Sequence, residues 1–184
     1  MSYSGTRRKV FISHYGADRD AVKKFIDKWS DVFIAKELGV YDDDDFINSN
    51  DGDYVMSQIR EKYLSDSTVT IVLMGTCTHS RRYIDWEIKS SLRQGNYTPN
   101  GLLGIVLPSL SNSPDIPERF SENWDKNETC YAEYHWAPKD EEQLGRWIED
   151  AFDARTSKAH LISNTQSMWS NNRKCNYCGL NHGV

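Results

Sequence analysis

The sequence predicts an α/β fold with a mainly parallel five-stranded sheet and helices on both of its faces. Short apolar, partly β-branched segments alternate with longer segments whose apolar residues recur at helical spacing. One of the short segments, Thr68 to Met74, is continuously apolar at its centre, which is typical of a strand covered on both faces. About five such strand–helix units indicate a flavodoxin-like, doubly wound sheet.

The first half of the chain is predicted to form two strands and two helices. Val10 to Ser13 is short and apolar, and Gly16 to Asp18 supplies the turn that follows it. Apolar residues at helical spacing then predict a helix from Asp18 to about Ile34. The second strand is predicted at Leu38 to Tyr41, where an acidic loop begins. Asp53 opens the second helix.

The second half repeats the alternation. Thr68 to Met74 is expected at the centre of the sheet, next to the first strand. Ser80 can cap the helix that follows, whose apolar face recurs every fourth residue. Leu102 to Leu107 is the fourth predicted strand, and Cys130 to Trp136 is the fifth. A final amphipathic helix is predicted from Pro138 to Arg155.

A chain of 184 residues is long enough to bury a core of its own. We expect one domain over residues 1–155. From Ser157 on the sequence is polar and weakly patterned, so residues 156–184 are expected to form an extension that packs on the domain or is partly ordered. The expected core residues include Trp29, Val72, Ile88 and Trp147.

Composition argues against several classes of protein. The net charge is −5 and no basic stripe is visible, so nucleic acid is not an expected partner. No apolar run approaches the ~20 residues of a membrane span. Met1 to Lys9 lacks the apolar segment of a signal peptide, and four unevenly spaced cysteines do not resemble a secreted disulfide framework. We therefore expect a cytoplasmic protein with no membrane partner.

Polar segments follow the strands at the edge where such sheets bind ligands. In doubly wound sheets that edge lies beyond the carboxyl ends of the strands, at the switch point of the strand order. The segments expected there are Ser13 to Tyr15, Asp42 to Asn50 and Thr76 to Tyr83. A single carboxylate, Glu87, follows Trp86 on the next helix. The sequence therefore predicts a ligand site that includes these segments.

Four segments, in order, resemble the TIR domain family. Val10 to His14 is similar to the family's first strand, and Val40 to Asp42 to its second strand and acidic loop. Ser67 to Leu73 resembles the approach to the third strand, and Tyr83 to Ile88 the helix that carries the family's catalytic glutamate. The resemblance covers roughly Arg8 to Leu107. It is closest to the bacterial TIR-like branch that includes the Thoeris anti-phage sensor.

The resemblance implies an enzyme that consumes NAD as its substrate and requires no separate cofactor, with Glu87 as the catalytic residue. Nicotinamide in NAD⁺ is already a cationic leaving group, so its departure needs no general acid, unlike the paired carboxylates of ordinary glycosidases. One buried carboxylate can stabilise the oxocarbenium-like ribose that forms. The expected substrate contacts are Ser13, His14, Asp42, Asp45, Tyr83 and Trp86.

The products and partners follow from the same resemblance. Attack by water gives ADP-ribose, whereas attack by a nitrogen or hydroxyl of the same molecule gives a cyclic ADP-ribose isomer, and the residues leave both open. The resemblance implies an anti-phage immune sensor that makes a nucleotide signal for a separate effector protein. It also brings a phage-derived trigger and self-assembly into consideration.

Two other functions remain open. A non-catalytic TIR-like adaptor would assemble through the acidic loop and adjacent helices, and Glu87 would then be an ordinary helix glutamate paired with a cation. A nucleoside 2-deoxyribosyltransferase-like enzyme also uses a flavodoxin-like fold and a glutamate. Its glutamate has small neighbours, unlike the Trp86-Glu87 pair.

Two motifs raise the question of a metal ion. Asp42 to Asp45 lacks the EF-hand spacing, so a solvated loop is expected there. Cys175, Cys178 and His182 form C-x2-C-x3-H, but structural zinc requires four ligands. Cys130 and His160 are both distant in sequence, and no fourth ligand can be identified. We therefore predict no metal site.

Overall fold

Five parallel strands form one sheet in the computed structural model, which describes residues 3–37, 39–40 and 44–182. The strands are β1 (Lys9–His14), β2 (Ile34–Lys36), β3 (Val69–Met74), β4 (Gly101–Val106) and β5 (Glu133–His135). Their order across the sheet is β2-β1-β3-β4-β5. The predicted flavodoxin-like α/β fold is confirmed, and β1 and β3 are adjacent inner strands as expected.

Helices cover both faces of this sheet. They are α1 (Arg19–Lys28), α2 (Gly52–Ile59), α3 (Arg82–Ser91), α4 (Glu118–Ser121) and α5 (Glu141–Ser157). A π-helical turn extends α2, and the side chains of Asp51 and Asp140 accept backbone hydrogen bonds at the starts of α2 and α5. None of the helices in the described part of the chain is long and apolar enough to cross a membrane.

The side chains of the inner strands alternate between the two faces of the sheet. Ile71 and Leu73 pack with α1 and α5, whereas Val72 packs with α3 on the opposite face. All six residues of β3 are buried, as the continuous apolar pattern predicts. The four expected core residues are buried, two on each face: Trp29 and Trp147, and Val72 and Ile88.

The predicted position of the second strand is wrong. Helix α1 ends at Lys28, because Trp29 begins a turn in which the Val32 N–H donates to the Trp29 carbonyl at 3.0 Å. Ile34–Lys36 then pairs with β1. Gly39 and Val40 lie outside any strand, and the remaining predicted strand residues, Leu38 and Tyr41, fall outside the described residues. Trp29 and Val32 are both buried, so their helical spacing extended the predicted helix too far.

The C-terminal segment, residues 158–182, runs along α3. Beyond α5 the described chain contains one 3₁₀ turn, Ala159–Leu161, and no further helix or strand up to residue 182. The indole nitrogen of Trp86 donates to the Trp169 carbonyl at 2.7 Å, and Lys89 donates to the Asn164 carbonyl at 3.1 Å. These bonds replace water on polar groups of α3.

A buried ion pair joins α3, α4 and the C-terminal segment. Arg119 Nε lies 2.7 Å from Asp85 Oδ1, and neither side chain is more than 3% exposed. The backbone N–H of Trp169 donates to Asp85, and Arg119 donates to the Ser167 carbonyl. The C-terminal segment therefore supplies a hydrogen-bond donor to Asp85 and an acceptor to Arg119.

Candidate active site

A cavity of about 240 Å³ lies at the carboxyl end of β1, at the switch point of the sheet. Its walls come from the end of β1, the segment after β2, the first turns of α3 and the C-terminal segment. The lining residues include Ile12, His14, Tyr15, Arg19, Glu37, Gly39, Val40, Arg81, Arg82, Tyr83, Ile84, Glu87, Asn172 and His182.

Glu87 places a buried carboxylate on this wall. The residue is 4% exposed. Its Oε2 accepts a hydrogen bond from Ser13 Oγ at 2.6 Å, and its Oε1 accepts one from the Val40 N–H at 2.9 Å. Within the described ranges, no lysine, arginine or histidine forms an ion pair with it. The description of Glu87 as a solvated glutamate paired with a cation therefore does not hold.

Burial raises the pKa of Glu87 to about 7, because an ionised carboxylate loses its hydration inside the protein. The hydrogen bonds from Ser13 and Val40 act in the opposite direction, since both donors favour the charged form. Burial is the larger effect. At neutral pH the carboxyl is therefore divided between its neutral and ionised forms, the condition expected of a group that changes charge during function.

Gly39 permits the close approach of the chain to this carboxylate. A Cβ on Gly39 would collide with Glu87 Oε1. The absence of a side chain lets the neighbouring Val40 N–H point at the same oxygen. A backbone donor leaves no trace in a sequence, so this half of the carboxylate's environment was not foreseen.

A family model for the TIR-like domain of the Thoeris protein ThsB matches residues 11–112. This match covers more than half of the chain, from β1 to the segment beyond β4. The chain belongs to the ThsB TIR-like family. The resemblance seen in the sequence is thereby confirmed. The search of curated proteins found no match.

Four of the site residues expected from the ThsB-like sequence come together. Glu87, His14 and Tyr83 line the cavity, and Ser13 lies behind it as the hydroxyl donor to Glu87. Burial lowers the pKa of His14, which favours the neutral form of its ring. Ser13 is itself fully buried.

The other three expected residues are placed differently. Trp86 does not line the cavity: its ring is buried in an apolar cluster with Phe11 and Val40 on the α2 side of the sheet. Asp45 is exposed and is also not part of the cavity wall. Asp42 lies outside the described residues. A contact of either aspartate with the adenosine-side ribose stays a prediction.

The described part of the acidic loop is anchored rather than free. Asp44 is buried, and its carboxylate accepts hydrogen bonds from the Tyr63 hydroxyl at 2.7 Å and from Lys62. The pKa of Tyr63 is raised to about 12, and burial is the largest cause. Asp44 therefore fixes the loop after β2 to the end of α2.

Three arginines, Arg19, Arg81 and Arg82, line the cavity, and none of them was among the expected site residues. Arg81 is 5% exposed; it donates to Ser80 Oγ at 2.8 Å and to the Asn181 carbonyl at 3.2 Å. No carboxylate in the part of the chain that the structure describes forms an ion pair with Arg81. Arg19 is exposed and lines the same cavity. The site thus presents positive charge near one buried acid.

Proposed function

We propose that this ThsB-family protein cleaves the bond between nicotinamide and ribose in NAD⁺, with Glu87 as the catalytic residue. One observation carries the proposal: a buried carboxylate without a cationic partner among the described residues faces a cavity at the ligand-binding edge of the sheet. A buried charge is costly unless something compensates it, and a cationic substrate supplies that compensation.

Cleavage would begin with departure of neutral nicotinamide, which takes the electron pair of the glycosidic bond. Positive charge then develops on the ribose, and the ionised Glu87 would stabilise it electrostatically. Ser13 and Val40 hold the two carboxylate oxygens, so little reorganisation is needed as the charge forms. No second carboxylate is required, because the leaving group needs no proton.

The size of the cavity indicates how NAD⁺ would lie. A volume of about 240 Å³ is below the ~300–1,000 Å³ typical of sites that enclose drug-sized ligands. It suits the nicotinamide riboside half, and the rest of the dinucleotide would extend over the rim. Arg81 and Arg19 are placed to form charge-assisted hydrogen bonds with the pyrophosphate.

The biological role proposed for this activity is signalling in a Thoeris-type anti-phage system. Family membership supports the system. Within it, a phage-derived trigger would activate the protein, alone or through self-assembly. The protein would release a cyclic ADP-ribose-type nucleotide to a separate effector. Such a reaction uses the NAD⁺ of the cytoplasm, so we propose that compartment as the site of action.

The proposal is tested by replacing Glu87 with Gln, which keeps the shape of the side chain and removes its charge. NAD⁺ and its products are measured by mass spectrometry in phage-infected cells that express either protein. We expect NAD⁺ loss and nicotinamide release with the parent, and a reduction of at least about a hundredfold, or ~3 kcal/mol, with Glu87→Gln. Glu61→Gln is the matched control, because Glu61 is exposed and does not line the cavity.

Each result assigns a different function. ADP-ribose as the sole product would replace the cyclase by a hydrolase. Base exchange on deoxynucleosides would identify a deoxyribosyltransferase. If Glu87→Gln protects cells from phage as well as the parent does, and NAD⁺ is unchanged in both, the protein works as a non-catalytic adaptor.

A further inference from the structure

Three cysteines and one histidine converge beside the cavity, and the histidine also lines it. They are Cys77, Cys175, Cys178 and His182, and their four ligand atoms all lie within 4.8 Å of one another. The C-x2-C-x3-H motif supplies three of them. The fourth, Cys77, comes from the loop after β3, a hundred residues earlier in the chain than the motif. The missing ligand of the sequence motif is thus provided by the fold.

The C-terminal motif is shaped to present its side chains together. The Gly179 N–H donates to the Cys175 carbonyl at 2.8 Å, and the Cys175 N–H donates to the Leu180 carbonyl at 2.9 Å. Gly179 has a φ of 73°, which closes this turn without strain. Both thiols therefore lie on one side of the turn, with His182 Nε2 only 2.8 Å from Cys178 Sγ.

We propose that these four residues bind a structural Zn²⁺ ion. Tetrahedral zinc with Zn–S bonds of ~2.3 Å places its sulfur ligands about 3.8 Å apart. Cys77 and Cys178 are separated by 3.7 Å, whereas Cys77 and Cys175 are 2.8 Å apart. A tetrahedral S–N pair would be about 3.6 Å apart, so His182 and Cys178, at 2.8 Å, must also separate. A shift of about 1 Å at one thiol and of somewhat less than about 1 Å at His182 would complete the tetrahedron. Three thiolates and one imidazole are a ligand set that favours zinc over the oxygen-binding cations.

A disulfide explains the arrangement less well. Cys77 and Cys175 are close enough to be joined with little movement, but that bond would use two of the four converging groups. Cys178 and His182 would then have no reason to point at the same place. A closed set of four ligands is the usual form of a structural zinc site.

The ion would stabilise the wall of the candidate active site that the C-terminal segment forms. Asn172 and His182 line the cavity, and Arg81 donates to the carbonyl of Asn181, the neighbour of His182. Zinc would hold this segment against the loop after β3. The site itself does not depend on the catalytic role of Glu87, so the two proposals can fail separately.

The first experiment measures the metal in the full-length parent protein, purified without a polyhistidine tag or chelator. We expect about one zinc per chain by elemental analysis and four reactive thiols after denaturation in chelator. Two reactive thiols and no zinc would establish a disulfide instead. Four thiols, no zinc, and no uptake of added Zn²⁺ would also overturn the proposal.

Substitutions then identify the ligands. Cys77→Ser and Cys178→Ser should weaken zinc binding at least about 100-fold. Cys130→Ser is the matched control: Cys130 lies against Asp125 and Ala132, away from the cluster. If Cys77→Ser keeps the parent's zinc affinity, the proposed fourth ligand is wrong.

The cobalt-substituted parent gives a readout that needs no variant to fold. Tetrahedral cobalt with thiolate ligands shows intense visible d–d bands and near-ultraviolet charge-transfer bands. We expect both in the parent, and octahedral cobalt without charge-transfer bands would overturn the site.

Discussion

Glu87 shows two opposing influences on one side chain. Two donors, the Ser13 hydroxyl and the Val40 N–H, stabilise the ionised carboxylate, while burial stabilises the neutral acid. Because burial is stronger, the folded protein holds a proton that the unfolded chain releases at lower pH. The same environment makes the carboxylate useful to a cationic ligand and costly to the empty protein.

This cost predicts a pH-dependent effect of Glu87→Gln on stability. The pKa of Glu87 rises from 4.5 to about 7 on folding, so the folded state binds more protons between these values and the parent loses stability as pH increases through this window. Above pH 7 the loss is complete, at about 3 kcal/mol. Gln cannot ionise, so the stability of Glu87→Gln relative to the parent should increase by about that amount from pH 4.5 to pH 8.

Urea unfolding of both proteins at the two pH values measures this difference. Glu61→Gln again serves as the control, and its stability relative to the parent should not follow the same curve. If the free energy of unfolding of Glu87→Gln differs from that of the parent by the same amount at pH 4.5 and pH 8, the pKa of Glu87 is not raised.

At the scale of elements, the predictable parts were those with a strong repeating pattern. β3 is buried on both faces, and its unbroken apolar run marks it. β2 has three residues at the edge of the sheet, and Ile34 is 42% exposed, so no apolar pattern marks it. Trp29 and Val32 continue the helical spacing of apolar residues beyond the end of α1, because the turn that contains them also packs on the core.

The residues of the candidate site also differ in how far the sequence could predict them. Glu87 could be predicted because its helix segment resembles that of a known family. Trp86 was expected in the site as its sequence neighbour, but consecutive helix residues point about 100° apart, so one faces the cavity and the other the core. The Val40 N–H and Cys77, the fourth member of the cluster that contains the C-x2-C-x3-H motif, could not be predicted, because backbone donors and contacts between distant segments have no local signature.

Val72 provides the prediction for β3. Val72→Asp would bury a charge with no partner against Ile88 and Leu102, and should lower the free energy of unfolding by roughly 3 kcal/mol or more. Ile34→Asp makes a similar change on the exposed edge strand and should cost far less. Chemical denaturation of both variants checks this; a Val72→Asp midpoint equal to that of Ile34→Asp would remove β3 from the centre of the sheet.

At the scale of the whole molecule, the C-terminal segment completes the α3 side of the structure. It donates to or accepts hydrogen bonds from Asp85, Arg119, Trp86 and Lys89, and its Leu161, Ile162 and Met168 pack against the apolar clusters of the domain. Separating the segment from α3 would take the hydrogen-bond acceptors of Trp86 and Lys89 away and would remove part of the hydrogen bonding of the Asp85–Arg119 pair. The segment and the sheet are therefore expected to unfold together.

Arg119 tests how much the buried ion pair beside the segment contributes to stability. Arg119→Met leaves Asp85 buried without its cation and should destabilise the protein by about 3–5 kcal/mol. Adding Asp85→Leu removes the unpaired charge and should recover part of the loss. Thermal unfolding of the single and double variants measures both effects. A double variant less stable than Arg119→Met alone would show that the charge is not the cause.

Because Glu87 is partly protonated at neutral pH, ligand binding is also linked to the release of a proton to the solvent. A nicotinamide cation beside the carboxyl favours its ionised form, so binding at pH 7 should release a fraction of a proton per site into the buffer. Calorimetry with an uncleavable carbocyclic analogue of NAD⁺ should then give enthalpies that vary with the ionisation enthalpy of the buffer. With Glu87→Gln the enthalpy should be the same in every buffer. The heat of buffer ionisation would thus report the proton of a single carboxyl group.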